Sequence, residues 1–231
     1  MARPPRGVLL DLDDTLYLQA EFLDQAWDHV ADTGAALGLD RDALRAALHR
    51  AASAGSDRGG LIDAALAELL SDPALASALV AAFRAFRPTV LTPCPGVPER
   101  LARLAESVPL VLLTDGNPAQ QRAKLAATGL GAALSGVICT DEDQGRRSRK
   151  PHPSGFRRAL SLLGCEPQDA VMVGDRPDKD MAGATALGIR ALRVRQGEYR
   201  DRPDPAGVWR TAADPAEALD LLLDLCAGAD R

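Results

Sequence analysis

From residue 110 onward the chain alternates short apolar runs with helical stretches, and that alternation limits the folds open to it. Residues 110–113, 136–139, 170–173 and 189–194 read as buried strands. Between them, residues 118–128, 153–163 and 178–187 read as helices, stopped by Gly129, Gly164 and Gly188. The first has Asn117 placed to cap it and Pro118 at its opening turn. Another apolar run, 7–10, stands at the N-terminus, a helix at 99–106 precedes the second run, and an amphipathic helix at 215–225 closes the chain. Strands that are apolar throughout and separated by helices predict an α/β fold with a parallel sheet and right-handed crossovers.

The stretch between the first and second runs breaks this rhythm. Residues 21–87 contain no strand-like run and read as four helices: 21–37, 41–52 capped by Asp40, 61–70, and one capped by Ser71 or Asp72 that runs to Arg87 with Pro73 in its first turn. Pro88, Pro93, Pro95 and Pro98 then form a stiff return linker. Four consecutive helices are more than one sheet face needs, so the expected organisation is a core domain of residues 1–16 and 92–231 with a helical domain, 17–91, inserted in it.

Chemistry-bearing residues collect where the apolar runs end. Val8-Leu9-Leu10 is followed by Asp11, Asp13 and Asp14, three carboxylates in four positions. The run 170–173 ends in Gly174-Asp175 with Asp178 and Asp180 beyond. The run 110–113 ends in Thr114-Asp115-Gly116-Asn117, and Lys150-Pro151 precedes the helix 153–163. In open α/β sheets ligands bind at the carboxyl ends of the strands. Crowded like charges there call for a cation, and Mg²⁺, a hard ion that takes oxygen ligands, fits that need. Each feature has a plainer explanation when taken alone. Asp is common in turns, Asn caps helices, and a lysine is usually a solvated charge.

Taken together and in order, these residues resemble the four motifs of the haloacid dehalogenase-like (HAD) superfamily. Asp11-Leu12-Asp13-Asp14-Thr15 is similar to its first motif, Thr114 to its second, Lys150 to its third, and Gly174-Asp175 with Asp180 to its fourth. The resemblance implies a Rossmann-like three-layer core with a parallel sheet, plus a small all-helical cap. It implies a Mg²⁺-dependent phosphatase acting on a small-molecule phosphomonoester. In that scheme Asp11 is the nucleophile that forms an aspartyl-phosphate, and Asp13 is the general acid and base. Thr114, Asp115 and Lys150 form the phosphate-binding set, although a carboxylate at Asp115, where the family often has Asn, would itself repel phosphate. Asp11, Asp13 (through its backbone carbonyl) and Asp175 hold the metal. Asp180 acts from behind them, on the metal waters or on Lys150. Asp14 and Thr15 are expected to be structural, Asp178 a helix cap, and Lys179 a surface residue.

The same resemblance narrows the reaction. Asp13 points to phosphoryl chemistry, since a halide leaving group needs no proton. Residues 16–92 lack the lysine that a phosphonate-cleaving relative would need. A phosphomutase and a non-catalytic HAD-fold binding protein stay open as alternatives. Phe22, Trp27, Arg58, Phe83 and Arg87 are the candidates in the helical insert for touching substrate.

Composition excludes other classes. A net charge of -5 leaves no basic footprint for nucleic acid. The apolar run before Asp11 is too short for the core of a signal peptide, and no stretch is long enough to span a membrane. Cys94, Cys139, Cys165 and Cys226 are scattered, without metal spacing, as expected of reduced thiols in a cytoplasmic protein. A monomer or homodimer is expected. Basic residues are almost all arginine, with lysine only at 124, 150 and 179.

Overall fold

Val8, Leu9 and Leu10 have no polar neighbour to alternate with, and they form the middle of a six-stranded parallel sheet. The computed structural model describes residues 3–228. In chain order the elements begin with β1 (Gly7–Leu10), α1 (Gln19–Ala36), α2 (Arg41–Ser53), α3 (Leu61–Glu68), α4 (Ala76–Ala85) and α5 (Val97–Ala105). They continue with β2 (Leu110–Thr114), α6 (Pro118–Thr128), β3 (Gly136–Cys139), α7 (Asp141–Gln144) and α8 (Pro153–Leu163). Last come β4 (Ala170–Gly174), α9 (Ala182–Ala186), β5 (Arg190–Val194), β6 (Arg210–Ala212) and α10 (Pro215–Ala227). The chain separates into two units, Met1–Gln19 with Val90–Arg231, and Ala20–Thr89.

In the first unit the strand order is β3-β2-β1-β4-β5-β6, with every pairing parallel. The chain runs outward from β1 to β3, then returns to the other side of β1 at β4. The order therefore reverses between β1 and β4, where such sheets open a crevice. Both faces are covered. Leu9, Val111, Leu113, Met172 and Ala191 pack with Phe156 and Ala159 of α8 and Ala184 of α9. On the other side α10 packs against α5 and across β5 and β6. All residues of β1, β2 and β4 are consequently buried, which is why these strands read as unbroken apolar runs. Burying each Val or Leu side chain contributes about 1.5–3 kcal/mol.

The second unit is all-helical. Trp27, Val30, Leu44, Leu48, Ile62, Leu66 and Leu79 form its core, and Trp27 stacks on Phe83 with ring centroids 4.9 Å apart. Gly34 lets α1 and α2 approach closely, since a Cβ there would lie 2.3 Å from Leu44 Cδ2. Of the candidate substrate contacts taken from the sequence, Trp27 is a buried member of this packing, Phe22 is buried against Phe83 and Phe86, and Arg58 and Arg87 lie exposed.

Three local features depart from the sequence reading. The helix expected over 178–187 opens instead as a wide turn over Pro177–Met181, with the amides of Asp180 and Met181 both bonded to the Arg176 carbonyl. Wide turns of this kind gather at functional sites. The helix expected to run from Asp72 to Arg87 starts as a tight turn, Pro73–Leu75, because the Asp72 carboxylate accepts from Ala74 N at 2.9 Å. Strand β6 was not expected: it is short, sits at the sheet edge, and has two exposed residues among its three, so it carries no apolar signal. Among the described residues no helix is long and apolar enough to cross a membrane.

Candidate active site

The site is built at the carboxyl ends of β1, β2 and β4. Asp11 follows β1 directly, and its amide bonds to the Val173 carbonyl of β4 at 2.9 Å, which ties the two strands together at the switch point. Asp175 follows β4. Carboxylate oxygens of Asp11, Asp175 and Asp180 all lie within 4.8 Å of one another, and all three residues are buried. Gly174 makes room for this crowding: a Cβ there would stand 2.4 Å from Asp180 Oδ2. The wide turn after Pro177 delivers Asp180, whose Oδ2 accepts from Arg176 N at 3.0 Å.

Lys150 is the cation of this cluster. Its buried ammonium pairs with Asp11, with Asp180 Oδ1 at 2.8 Å, and with the Leu113 carbonyl at 3.0 Å. The contacts to Asp11 and Leu113 are hydrogen bonds, while Asp180 Oδ1 meets the ammonium as an ion pair without a hydrogen bond of its own. Burial pushes the Asp11 carboxyl up, Lys150 pulls it down, and neighbouring Asp180 and Asp13 push it up again, leaving it at about 7. Burial, with Asp180 and Asp11 nearby, also holds the Asp175 carboxyl well above the usual range. Burial lowers the Lys150 ammonium, but Asp11, Asp180 and Asp115 together raise it above its ordinary value. Three buried carboxylates against one buried ammonium leave a deficit of positive charge. The donor set is all oxygen and anionic, so a hard divalent cation fits it.

Asp13 is turned elsewhere. Its Oδ1 receives the Lys124 ammonium at 2.8 Å and the Tyr17 hydroxyl, and its Oδ2 receives the Gln121 amide at 2.9 Å. Burial raises this carboxyl, but Lys124, Tyr17 and Gln121 more than offset that, and the net shift is downward. Gln121 and Lys124 are three apart on α6, hence on one face, and the same Gln121 nitrogen reaches Thr114 Oγ1 at 2.5 Å. Lys124, Gln121 and Tyr17 were missed in the sequence reading. The available signal was Lys124 itself, an isolated lysine just beyond the Thr114 loop in a chain with few of them.

The Asp115 carboxylate is engaged within the protein. Its Oδ1 accepts from Thr140 Oγ1 at 2.8 Å and from the Lys150 amide at 3.0 Å, while Oδ2 pairs with Lys179 at 3.2 Å. The carboxylate acts as a strut under the backbone of Lys150. Lys179 is correspondingly a largely buried partner of Asp115 rather than a surface charge. Asp178 does not cap the helix with its side chain as expected; it pairs with Arg176 at 2.9 Å. Asp14 braces the loop: its carboxylate accepts from Gln19 N at 2.9 Å and Glu198 N at 3.3 Å. Gly197 is required opposite it, with φ of +63° and only 2.2 Å between a hypothetical Cβ and Asp14 Cγ.

A parallel sheet with acids, a hydroxyl and a lysine at its switch point defines a class of α/β enzyme. Residues 5–188 match the family model of haloacid dehalogenase-like hydrolases. The chain belongs to that family. It is 32% identical over 231 residues to a glyceraldehyde 3-phosphate phosphatase of Methanopyrus kandleri, covering 95% of this chain and 98% of that one. It is 39% identical over 158 residues to a phosphoserine phosphatase of Thermus thermophilus, covering 67% and 61% of the two chains. A solved HAD phosphatase from Thermococcus onnurineus superposes with a TM-score of 0.63 at 24% identity, covering 94% and 97%.

Proposed function

We propose that this hydrolase is a Mg²⁺-dependent phosphatase that cleaves a small-molecule phosphomonoester through an aspartyl-phosphate on Asp11. The observation that carries the reading is the buried Asp11 carboxylate, held by Lys150 within a ring of acids that is short of positive charge. Asp11 and Asp175, with the Asp13 backbone carbonyl, would hold the ion. When bound, Mg²⁺ supplies charge neutralisation for the crowded carboxylates and the phosphoryl oxygens.

The chain's own groups divide the remaining work. Asp11 attacks phosphorus, and one carboxylate oxygen forms the new P–O bond as the ester oxygen leaves. Asp13 gives a proton to that leaving oxygen and later takes one from the water that hydrolyses the intermediate. Thr114 accepts from Gln121, which frees its own O–H to donate to a phosphoryl oxygen. Lys150 acts through charge: it favours the ionised form of Asp11 against the burial that disfavours it, and sits between Asp11 and Asp180. The helical unit is assigned the choice of substrate, as the family resemblance implies. The relatives' names make three-carbon phosphates, glyceraldehyde 3-phosphate and phosphoserine, the first compounds to try.

The test is phosphate release from a panel of phosphomonoesters by wild type and Asp11→Asn, with Mg²⁺ and with EDTA. Release that needs the metal and is abolished in Asp11→Asn is the expected result. Undiminished turnover by Asp11→Asn would refute the assignment of the nucleophile. Failure of the folded wild type to release phosphate from any ester would refute the phosphatase reading.

A further inference from the structure

We infer that Lys124 and Tyr17 anchor Oδ1 of Asp13, so that Oδ2 is the atom that carries the proton to and from substrate, with Gln121 linking that atom to Thr114. The inference rests on the phosphatase reading and extends it to three residues that none of the family's motifs contains.

The argument begins with lone pairs. A carboxylate oxygen accepts about two hydrogen bonds. Oδ1 of Asp13 already receives two donors, the Lys124 ammonium at 2.8 Å and the Tyr17 hydroxyl. Among the described residues Oδ2 receives one, from Gln121 Nε2 at 2.9 Å. One acceptor position, on Oδ2, is therefore left for a proton or for substrate. The holders are rigid. Tyr17 is fully buried, its backbone bridges to both Asp13 and Pro93, and the Lys124 side chain is 4% exposed. The Asp13 side chain, at 19%, keeps a route to solvent and ligand.

Gln121 adds a second constraint. One amide nitrogen bonds both Asp13 Oδ2 and Thr114 Oγ1, at 2.9 and 2.5 Å, using its two protons. The proton carrier and the phosphate-binding hydroxyl are thus set at a fixed spacing by one side chain on α6. In the first half-reaction the Oδ2–H bond breaks and an O–H bond forms on the leaving alkoxide. The carboxylate left behind is the species that Lys124, Tyr17 and Gln121 stabilise. In the second half-reaction the water oxygen bonds to phosphorus as the Asp11–phosphorus bond breaks, the water's proton returns to Oδ2, and phosphate and the Asp11 carboxylate are released. Lys124, Tyr17 and Gln121 are positioning residues. Only Asp13 touches the reacting oxygen.

A residue that aims the proton donor has a signature that a merely structural one lacks. Proton donation matters most when the leaving group is a poor one. The experiment measures kcat/KM for an alkyl phosphate (glycerol 3-phosphate) and an aryl phosphate (p-nitrophenyl phosphate) with wild type, Lys124→Met and Tyr17→Phe. General acid catalysis contributes about 100- to 10,000-fold, so misdirecting Asp13 should lower the alkyl-to-aryl ratio of kcat/KM by about 10-fold or more in Lys124→Met. Tyr17→Phe should shift the ratio in the same direction by a smaller factor. It deletes one hydroxyl, so it carries the test if Lys124→Met does not fold. Folded variants that lose activity on both esters by the same factor would overturn the inference while leaving the phosphatase reading intact. A wild type inactive on both esters would overturn the reading beneath it.

Discussion

Replacing Gly174 with alanine should disable the acid cluster from behind. The added methyl would lie 2.4 Å from Asp180 Oδ2, 2.5 Å from its Cγ and 2.7 Å from its Cβ, where ordinary contact begins at 3.4 Å. Something must therefore move by roughly 1 Å, a shift large enough at a site of this kind to lower turnover by about 100-fold. Strand β4 is poorly placed to move, because it is paired to β1 on one side and β5 on the other. Asp180 yields instead, and with it the 2.8 Å pair to Lys150 and the 3.0 Å bond from Arg176 N. Overpacking a buried site costs about 1–3 kcal/mol, so the variant should remain folded but less stable. The assay is urea denaturation alongside kcat/KM on the best ester of the panel. Gly136→Ala serves as the control: its closest contact, at 3.0 Å, is the tip of the half-exposed Leu162 side chain, which can swing away. Stability and kcat/KM for Gly174→Ala equal to those of wild type would refute the claim that this glycine is fixed by Asp180.

Other perturbations have equally definite outcomes. In EDTA, stability should fall as pH rises from 3.8 to about 7, because over that window the folded state keeps a proton on Asp11 that the unfolded chain releases. Added Mg²⁺ should flatten the fall; melting curves across pH that are level without metal, or indifferent to Mg²⁺, would contradict this. Asp115→Ala removes the acceptor of the Lys150 amide and the Thr140 hydroxyl, and should cost about 1–3 kcal/mol in urea titrations while lowering kcat/KM; full activity would show that the Lys150 backbone needs no such strut. Trp27→Ala removes the centre of the helical unit's core and should destabilise it by about 3–5 kcal/mol, read by circular dichroism during denaturation; a loss under about 1 kcal/mol would mean that the Phe83 stack carries little.

How much of this was legible in the sequence depended on whether a residue's role is local. β1, β3, α6 and α8 could be read to within a residue or two, since apolar runs, Asn117, Pro118, Gly129 and Gly164 act within their own element. The positions of Asp11, Thr114, Lys150 and Asp175 at strand ends were legible for the same reason. What was not legible were partnerships between elements distant in sequence. Asp115 stands where the phosphate motif sits, and none of its side chain's partners, Thr140, Lys150 and Lys179, is adjacent to it. Lys179, flanked by Asp178 and Asp180, reads from sequence as a surface residue. The wide turn at Pro177–Met181 points its side chain to Asp115 instead. β6 was invisible because an exposed edge strand carries no hydrophobic pattern.

The few lysines of this chain show what the site requires. There are three, and each is bound to a carboxylate in or next to the proposed centre: Lys124 to Asp13, Lys150 to Asp11 and Asp180, and Lys179 to Asp115. Arginine supplies nearly all the remaining positive charge, and most of its ion pairs have an exposed member, such as Arg41 with Asp28 and Arg158 with Asp143. The division follows from shape. A guanidinium is a planar fork with five donors, all needing partners when buried, whereas an ammonium is a compact charge on a thin stem with three. Lys150 donates to Asp11 and the Leu113 carbonyl and pairs with Asp180, a set too tight for a planar fork to reproduce. Lysine to arginine at 150 or 124 is therefore not a conservative change here. Positive charge alone is not what these positions demand, so arginine there should fail to restore what methionine removes.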